Sequence, residues 1–370
     1  MKKLLFLIHD LGEGGAEKVL LNLVNNMDQT KFDITVMTLF DYGVNKQFIS
    51  PHIKYKTWCK KMFRGNSHFM KLFTPEQLHK LIIKGKYDIE VAYLEGPCAR
   101  VISGCQDKNT KKVSWIHIEQ HGEKEASASF RSVNEANKCY NKFDKIVCVS
   151  NMVKKHFEDA LSINVPVEVY YNTNESQKII SKSKEQVDDV IFEKEKIKLV
   201  GVGKLLSNKG FDRMIRVVER LAIEGYPVCL YILGIGPMEN EIRQYISDHK
   251  LEDTVILLGY KTNPYKYVAK CDLFLCASHA EGFSTAATEA LIVGTPVCTV
   301  EVSGMKEMLG ENNEYGVVVK NDEEALYQGI KNLLDSKENL EYYTHKAKER
   351  GKDFNTYNTV KAVEDMLLNL

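Results

Sequence analysis

Apolar residues gather in short continuous runs that alternate with segments of helical apolar spacing. In the first half the runs fall at 4–8, 34–39, 89–94, 113–118, 146–149 and 167–170. Runs of this length, each followed by a helix-period segment, predict βαβ units whose parallel strands are buried on both faces. From 172 to 198 the strand pattern lapses into a stretch rich in Ser, Lys, Glu, Asp and Asn, the composition of an interdomain connection. A second series follows, with strands predicted at 199–202, 228–233, 255–258, 273–276, 296–300 and 317–319. The prediction is therefore an α/β chain of two Rossmann-like, doubly wound domains, 1–172 and 199–350, joined through 173–198. The tail, 351–370, has helical spacing at Val360, Val363, Met366, Leu367 and Leu370, so it must pack on something, the first domain being the candidate. No repeat of 20–50 residues and no heptad run interrupts this pattern.

The length fits it, since 370 residues at roughly 150 per domain give about two domains. Fifty Lys and Arg balance fifty Asp and Glu, so no overall field draws the chain to nucleic acid, and none is expected as a partner. The opening run after Lys2 and Lys3 is too short for a signal peptide and ends in His9 and Asp10; no stretch approaches the roughly 20 apolar residues of a membrane span. Nine cysteines, an odd number with no C-x-x-C pair, read as reduced core thiols of a cytoplasmic protein rather than a zinc site. Charge is uneven in one place. Residues 46–86 hold ten Lys or Arg against the single acid Glu76, interleaved with Trp58, Met62, Phe63, Phe69, Met70 and Phe73. Such a mixture suits the surface of an anionic membrane, at the inner face; an acceptor-specific loop and a solvated helix face over core residues are the other readings.

Candidate chemistry lies at strand-to-helix turns. The first, Gly12-Glu13-Gly14-Gly15-Ala16-Glu17, lets backbone approach a ligand and aims helix N-terminal amides at an anion. It lacks the small residue that a dinucleotide fingerprint needs where Glu17 stands. The second domain opens with Gly203-Lys204-Leu205-Leu206-Ser207-Asn208-Lys209-Gly210, a loop whose two ammonium groups suit a diphosphate leaving group; the Walker order is absent. The third, 278–291, carries Glu281 on a loop, helix-capping candidates Ser284 and Thr285, and Glu289 inside the helix that Gly294-Thr295-Pro296 stops. It presents carboxylates, which accept sugar hydroxyls in pairs, around free amides that face phosphate.

Here the chain resembles the family 4 glycosyltransferases of the GT-B superfamily, of bacterial surface-polysaccharide type. The resemblance rests on E-x7-E at Glu281 and Glu289, the Gly203-Lys204-Leu205…Lys209-Gly210 loop, Leu233-Gly234-Ile235-Gly236-Pro237, Leu258-Gly259-Tyr260, Ala277-Ser278…Glu281-Gly282-Phe283, and Glu307 after Ser303-Gly304. The first domain matches more loosely, through Gly14-Gly15-Ala16-Glu17, Ser150 and Asn172. The resemblance implies a retaining transferase that moves a sugar from a nucleotide diphosphate sugar, UDP-sugar being the commoner donor, to an acceptor hydroxyl in a cleft between two facing domains. A saccharide or lipid-linked precursor of capsule or other surface polysaccharide is the implied acceptor, and no further cofactor is required. Lys204 and Lys209 would bind the diphosphate, Glu289 the ribose hydroxyls and Glu281 the donor sugar. Gly282, Phe283, Ser284 and Thr285 would line sugar and phosphate with Gly259 nearby, Gly14 and Gly15 would approach the diphosphate, and His117 matches the family's active-site histidine.

Three departures qualify the match. Lys204 stands where Arg is commoner, keeping charge and losing the bidentate fork. Ser284-Thr285 replaces a commoner glycine and branched residue, and His117 has competitors in Glu119 and His121. No D-x-D triplet offers a metal site, so positive side chains would stabilise the departing diphosphate. Retention by a front-face route is what the family suggests. The alternatives are a glycosyltransferase-like partner protein without catalysis and a sugar-nucleotide epimerase of similar architecture.

Overall fold

The computed structural model describes residues 1–12 and 14–370, so Glu13 of the first glycine loop lies outside the described residues. The apolar runs of the first half become β1 (Lys2–Ile8), β2 (Phe32–Phe40), β4 (Ile89–Ala92), β5 (Lys111–Ile116), β6 (Lys145–Cys148) and β7 (Val167–Val169), with β3 (Lys54–Cys59) at one edge. They pair in parallel in the order β3-β2-β1-β4-β5-β6-β7. In β1, Leu4 to Ile8 have no exposed surface, as expected of a strand covered on both faces.

The second series forms β8 (Ile197–Val202), β9 (Val228–Leu233), β10 (Val255–Gly259), β11 (Leu273–Cys276), β12 (Val297–Val300) and β13 (Val317–Val319). Its order is β10-β9-β8-β11-β12-β13, again all parallel. The helix Phe211–Ile223 buries Met214, Ile215, Val217, Val218 and Leu221 in the core of this sheet. In both sheets the order reverses once, between β1 and β4 and between β8 and β11. At such a reversal, open α/β sheets bind ligands in the crevice outside the carboxyl ends of the strands.

The chain divides into two units, Met1–Asn174 with Thr356–Leu370, and Glu175–Asn355. The tail helix Thr356–Leu368 belongs to the first: Val360, Val363, Met366 and Leu367 are buried, Lys2 donates to the carbonyls of Leu367 and Leu368, and Glu364 accepts from the Asp28 amide at 2.6 Å. The polar stretch expected as a connection is more ordered than its composition suggests. Helix Ser176–Ser183 buries Ile179, Asp189 accepts from Lys261 and Tyr267 at 2.6 and 2.7 Å, and Phe192 lies edge-on to Tyr231, all within the second unit. Polar residues there bind neighbouring side chains instead of leaving the segment loose.

The basic segment holds the strand that the apolar pattern missed. Lysines at 54 and 56 hid β3, and they suit an unpaired sheet edge. Lys54 meets Asp33 at 2.6 Å and Lys46 meets Asp41 at 2.7 Å, so part of the excess charge is neutralised locally. The short helices Asn66–Lys71 and Pro75–Ile82 follow, the second closed by a reciprocal Thr74–Gln77 capping box. All nine cysteines are free thiols, and burial holds those of Cys98, Cys148 and Cys271 far above the ordinary range. Among the described residues no helix is long and apolar enough to cross a membrane.

Candidate active site

The second unit builds its crevice from the loops after β8 and β11. Gly210 adopts φ +64° between them, where a Cβ would stand 1.9 Å from the Ala277 carbonyl oxygen, so only glycine lets the two loops pass. Leu205 is anchored through amide bonds to Ile235 and from Met238, and the His279 amide donates to Asn208. Arg213, a residue that sequence reading did not single out, is buried and donates to the carbonyls of Ala277 and Ser278 at 2.6 and 2.8 Å and to Asn321. Its guanidinium fixes the start of the loop bearing Glu281, although burial lowers its pKa from the usual value.

On this rigid base the predicted charges meet. Lys209 Nζ lies 2.7 Å from Glu281 Oε1, which also accepts from Ser278 Oγ at 2.7 Å. Both side chains are mostly covered. Lys204 lies exposed at the start of the same loop. Helix Thr285–Val293 begins where Ser284 Oγ accepts from the Ala287 amide, and Gly294 ends it in the left-handed region. Gly282, Phe283 and Ser284 are buried, Thr285 is half-buried, and Glu289 is buried on the helix with Tyr265 Oη 3.5 Å from its Oε1. Gly259 closes β10 at φ +69° after a shift in strand register. The result is a cation held by a carboxylate, a helix N-terminus and a second, deeper carboxylate, a set that can engage phosphate and hydroxyl groups of one ligand.

The first unit assembles its crevice differently. Asp10 Oδ1 accepts the Gly12 amide at 2.8 Å, and Gly14 caps helix Gly15–Asn26 with no side-chain bond, half-buried beside the exposed Gly15. His117 was expected within a strand reaching 118, but β5 ends at Ile116, because the His117 amide leaves the ladder to donate to Glu95 Oε2 at 2.9 Å. The imidazole is buried 4.9 Å from the Tyr93 ring, and it bonds to the Tyr93 backbone. Its Nε2 is buried without a hydrogen-bond partner. Burial pushes the His117 pKa down to about 3, against the raising effect of the Tyr93 bond, so the ring is neutral at ordinary pH. A ring that donates through one nitrogen offers a lone pair at the other. Glu95, also missed from sequence, is raised from the carboxylate range by burial, with the nearby Glu17 charge adding to the effect. Glu119 and His121, the competitors of His117, pair with each other at 2.8 Å.

Comparison with known proteins agrees with this division. Residues 13–173 match the family "Glycosyltransferase Family 4" and residues 182–350 match "Glycosyl transferases group 1". The chain is 30% identical over 374 residues, 99% of each sequence, to the N-acetylgalactosamine-N,N'-diacetylbacillosaminyl-diphospho-undecaprenol 4-alpha-N-acetylgalactosaminyltransferase of Campylobacter jejuni. Among solved structures, Anabaena HepE in complex with UDP and glucose superposes over the full length of both chains with a TM-score of 0.79 at 19% identity. Sucrose-phosphate synthase from Thermosynechococcus elongatus gives 0.79 at 14% identity, covering 100% of this chain and 99% of its own. The sequence match over both sheets, the two switch-point crevices and this shared architecture make the chain a glycosyltransferase of GT-B fold, belonging to the group 1 and family 4 glycosyltransferases.

Proposed function

We propose that this enzyme transfers a sugar from a UDP-sugar, with retention, to a hydroxyl of a lipid-linked diphosphate saccharide, a precursor of surface polysaccharide such as capsule. The Lys209–Glu281 pair beside the helix N-terminus carries the reading. A diphosphate entering there meets the Lys209 ammonium and the amides from Gly282 to Thr285, which stabilise the charge that develops on the leaving group. Lys204 adds a second cation at the loop start. Glu281, displaced from Lys209 by the phosphate, turns to the donor sugar, while Glu289 accepts the ribose hydroxyls. In the first unit, Gly14 and Gly15 leave the start of helix Gly15–Asn26 open to a phosphate group. His117, neutral with Nε2 open, accepts a hydrogen bond from a sugar hydroxyl.

The acceptor class rests on the full-length match to the Campylobacter jejuni enzyme, whose name specifies a diphospho-undecaprenol saccharide. A place at the inner face of the membrane is supported by the basic segment. There Phe40, Trp58, Phe63, Phe69 and Phe73 form a chain of ring contacts that ends among the exposed Met62, Phe69 and Leu72. Cations beside exposed apolar side chains suit anionic headgroups over acyl chains. The test is transfer of labelled sugar from a panel of UDP-sugars to polyprenyl-diphosphate saccharides, with product anomers assigned by NMR. Transfer with retained configuration is expected; inversion, or turnover with GDP-sugars alone, overturns the reading. Replacing Lys60, Lys61 and Arg64 by Ser is expected to release the protein from anionic vesicles, and undiminished binding would remove this segment as the anchor.

A further inference from the structure

Two residues beyond His117, three side chains of the first unit turn towards one point. Glu119 and His121 stand on the loop after β5, and His156 projects from helix Asn151–Ala160, whose start is fixed by Ser150 Oγ accepting from Val153 at 3.1 Å. His121 Nε2 lies 2.8 Å from Glu119 Oε2, and His156 Nδ1 lies 3.5 Å from the same oxygen. The two imidazoles are 4.9 Å apart and tilted by 56°. One donor atom from each of the three residues lies within 4.8 Å of the other two. Ligands about 2.0–2.1 Å from a zinc ion sit roughly 3 Å from one another. Small side-chain rotations therefore bring all three onto one ion.

The hydrogen bonding around this cluster is incomplete. His156 Nδ1 is buried and makes no hydrogen bond, despite its distance to Glu119, and Gln120 Oε1, on the same loop, is also buried without one. Buried polar atoms are rarely left so, and the His156 nitrogen, 3.5 Å from Glu119, is open to a further partner at this point. Two imidazole nitrogens and a carboxylate offer lone pairs, which suit a cation and repel an anion. We propose that Glu119, His121 and His156 form a binding site for one divalent transition-metal ion of the zinc class. Two histidines with one carboxylate are a common donor set for such ions, leaving further positions for water or a ligand oxygen. His121 is more than half exposed, which gives the ion a way in and keeps those positions open. The spacing of 119, 121 and 156 along the chain gives no motif, which is why no metal was expected from sequence.

A second cluster, His79, Glu90 and Cys105, sets the contrast. There His79 Nε2 lies 2.8 Å from the buried Glu90, and neither side chain leaves a buried nitrogen or oxygen without a partner, unlike His156. The two clusters are separable by cobalt, because only Cys105 supplies sulfur.

The experiment uses the full-length chain stripped with EDTA, titrated with Zn²⁺ by calorimetry and with Co²⁺ by absorption. One ion per chain is expected, with visible cobalt bands and no thiolate-to-cobalt charge-transfer band. His121→Ala and His156→Ala should each weaken binding at least about tenfold. Glu119→Gln, which keeps the shape of the loop, should do the same and guards against a folding defect. Absence of saturable binding, equal affinity in the variants, or a thiolate band assigning the ion to Cys105 would each overturn the proposal. Binding is read without turnover, so its failure leaves the transfer reading intact.

Discussion

The two switch-point crevices of this glycosyltransferase are built on opposite electrostatic plans. In the second unit the charges are matched within the protein: Glu281 holds Lys209 and accepts from Ser278, on loops that Gly210 and Arg213 lock together. In the first unit the central group is a neutral imidazole with an open nitrogen beside a carboxyl whose ionisation burial opposes. A diphosphate needs fixed positive charge and oriented amides, and the second unit offers both. A sugar hydroxyl needs a desolvated acceptor, which the first unit supplies. On the proposed reading, nucleotide handling and hydroxyl handling therefore divide between two sheets that share the same order of their first six strands.

The largest expected effect comes from removing the matched charge. Lys209→Ala should lower the transfer rate by about 10²-fold, the scale of a lost contact to a developing anion. Glu281, left without its partner, also loses its set position. Turnover within threefold of wild type, in a steady-state assay at saturating donor, would refute the leaving-group role. Glu289→Ala should act earlier, on nucleotide affinity, with a loss of roughly ten- to a hundredfold from the unpaired hydroxyls. A calorimetric titration reads this directly, and unchanged affinity would take Glu289 out of the ribose role.

The smallest effect concerns stability and separates two histidines of the first unit. His117 falls from 6.5 to about 3 on folding because burial disfavours imidazolium. Between those values the unfolded chain binds a proton that the folded chain refuses, so stability is lost as pH falls below 6.5. His79 moves the other way, to about 9; burial opposes the shift, but bonding to Cys105 and Glu90 outweighs it. Its stabilisation is complete below pH 6.5 and lost as pH rises through 9. Melting temperature against pH should therefore lose part of its acid slope in His117→Asn and part of its alkaline slope in His79→Gln. Parallel curves for wild type and both variants would contradict the assignment.

Much of this was legible before the structure. Most strands are continuous apolar runs, so twelve of the thirteen strands among the described residues stood out. The thirteenth, β3, borders the sheet with alternating lysines, and its pairing with β2 depends on contacts that periodicity does not encode. The Ser284 cap, with Glu281 ahead of the helix and Glu289 within it, was readable because loop, cap and helix follow one another in the sequence; the contact of Lys209 with Glu281, 72 residues away, was not. Arg213 was not, since its role comes from carbonyls far along the chain that meet it only in the folded unit. Glu95 and the Glu119–His121–His156 cluster were hidden for the same reason. Each joins residues from different βα turns, brought together by the parallel crossover topology.

The division of labour between the units is most directly tested by titrating UDP into the wild type, Lys209→Ala and His117→Asn by calorimetry. Affinity should fall at least about tenfold in Lys209→Ala, the weight of a charge-assisted contact, and stay within about twofold in His117→Asn. Equal affinity in wild type and Lys209→Ala, or a loss confined to His117→Asn, would contradict the account and assign the nucleotide to the first unit.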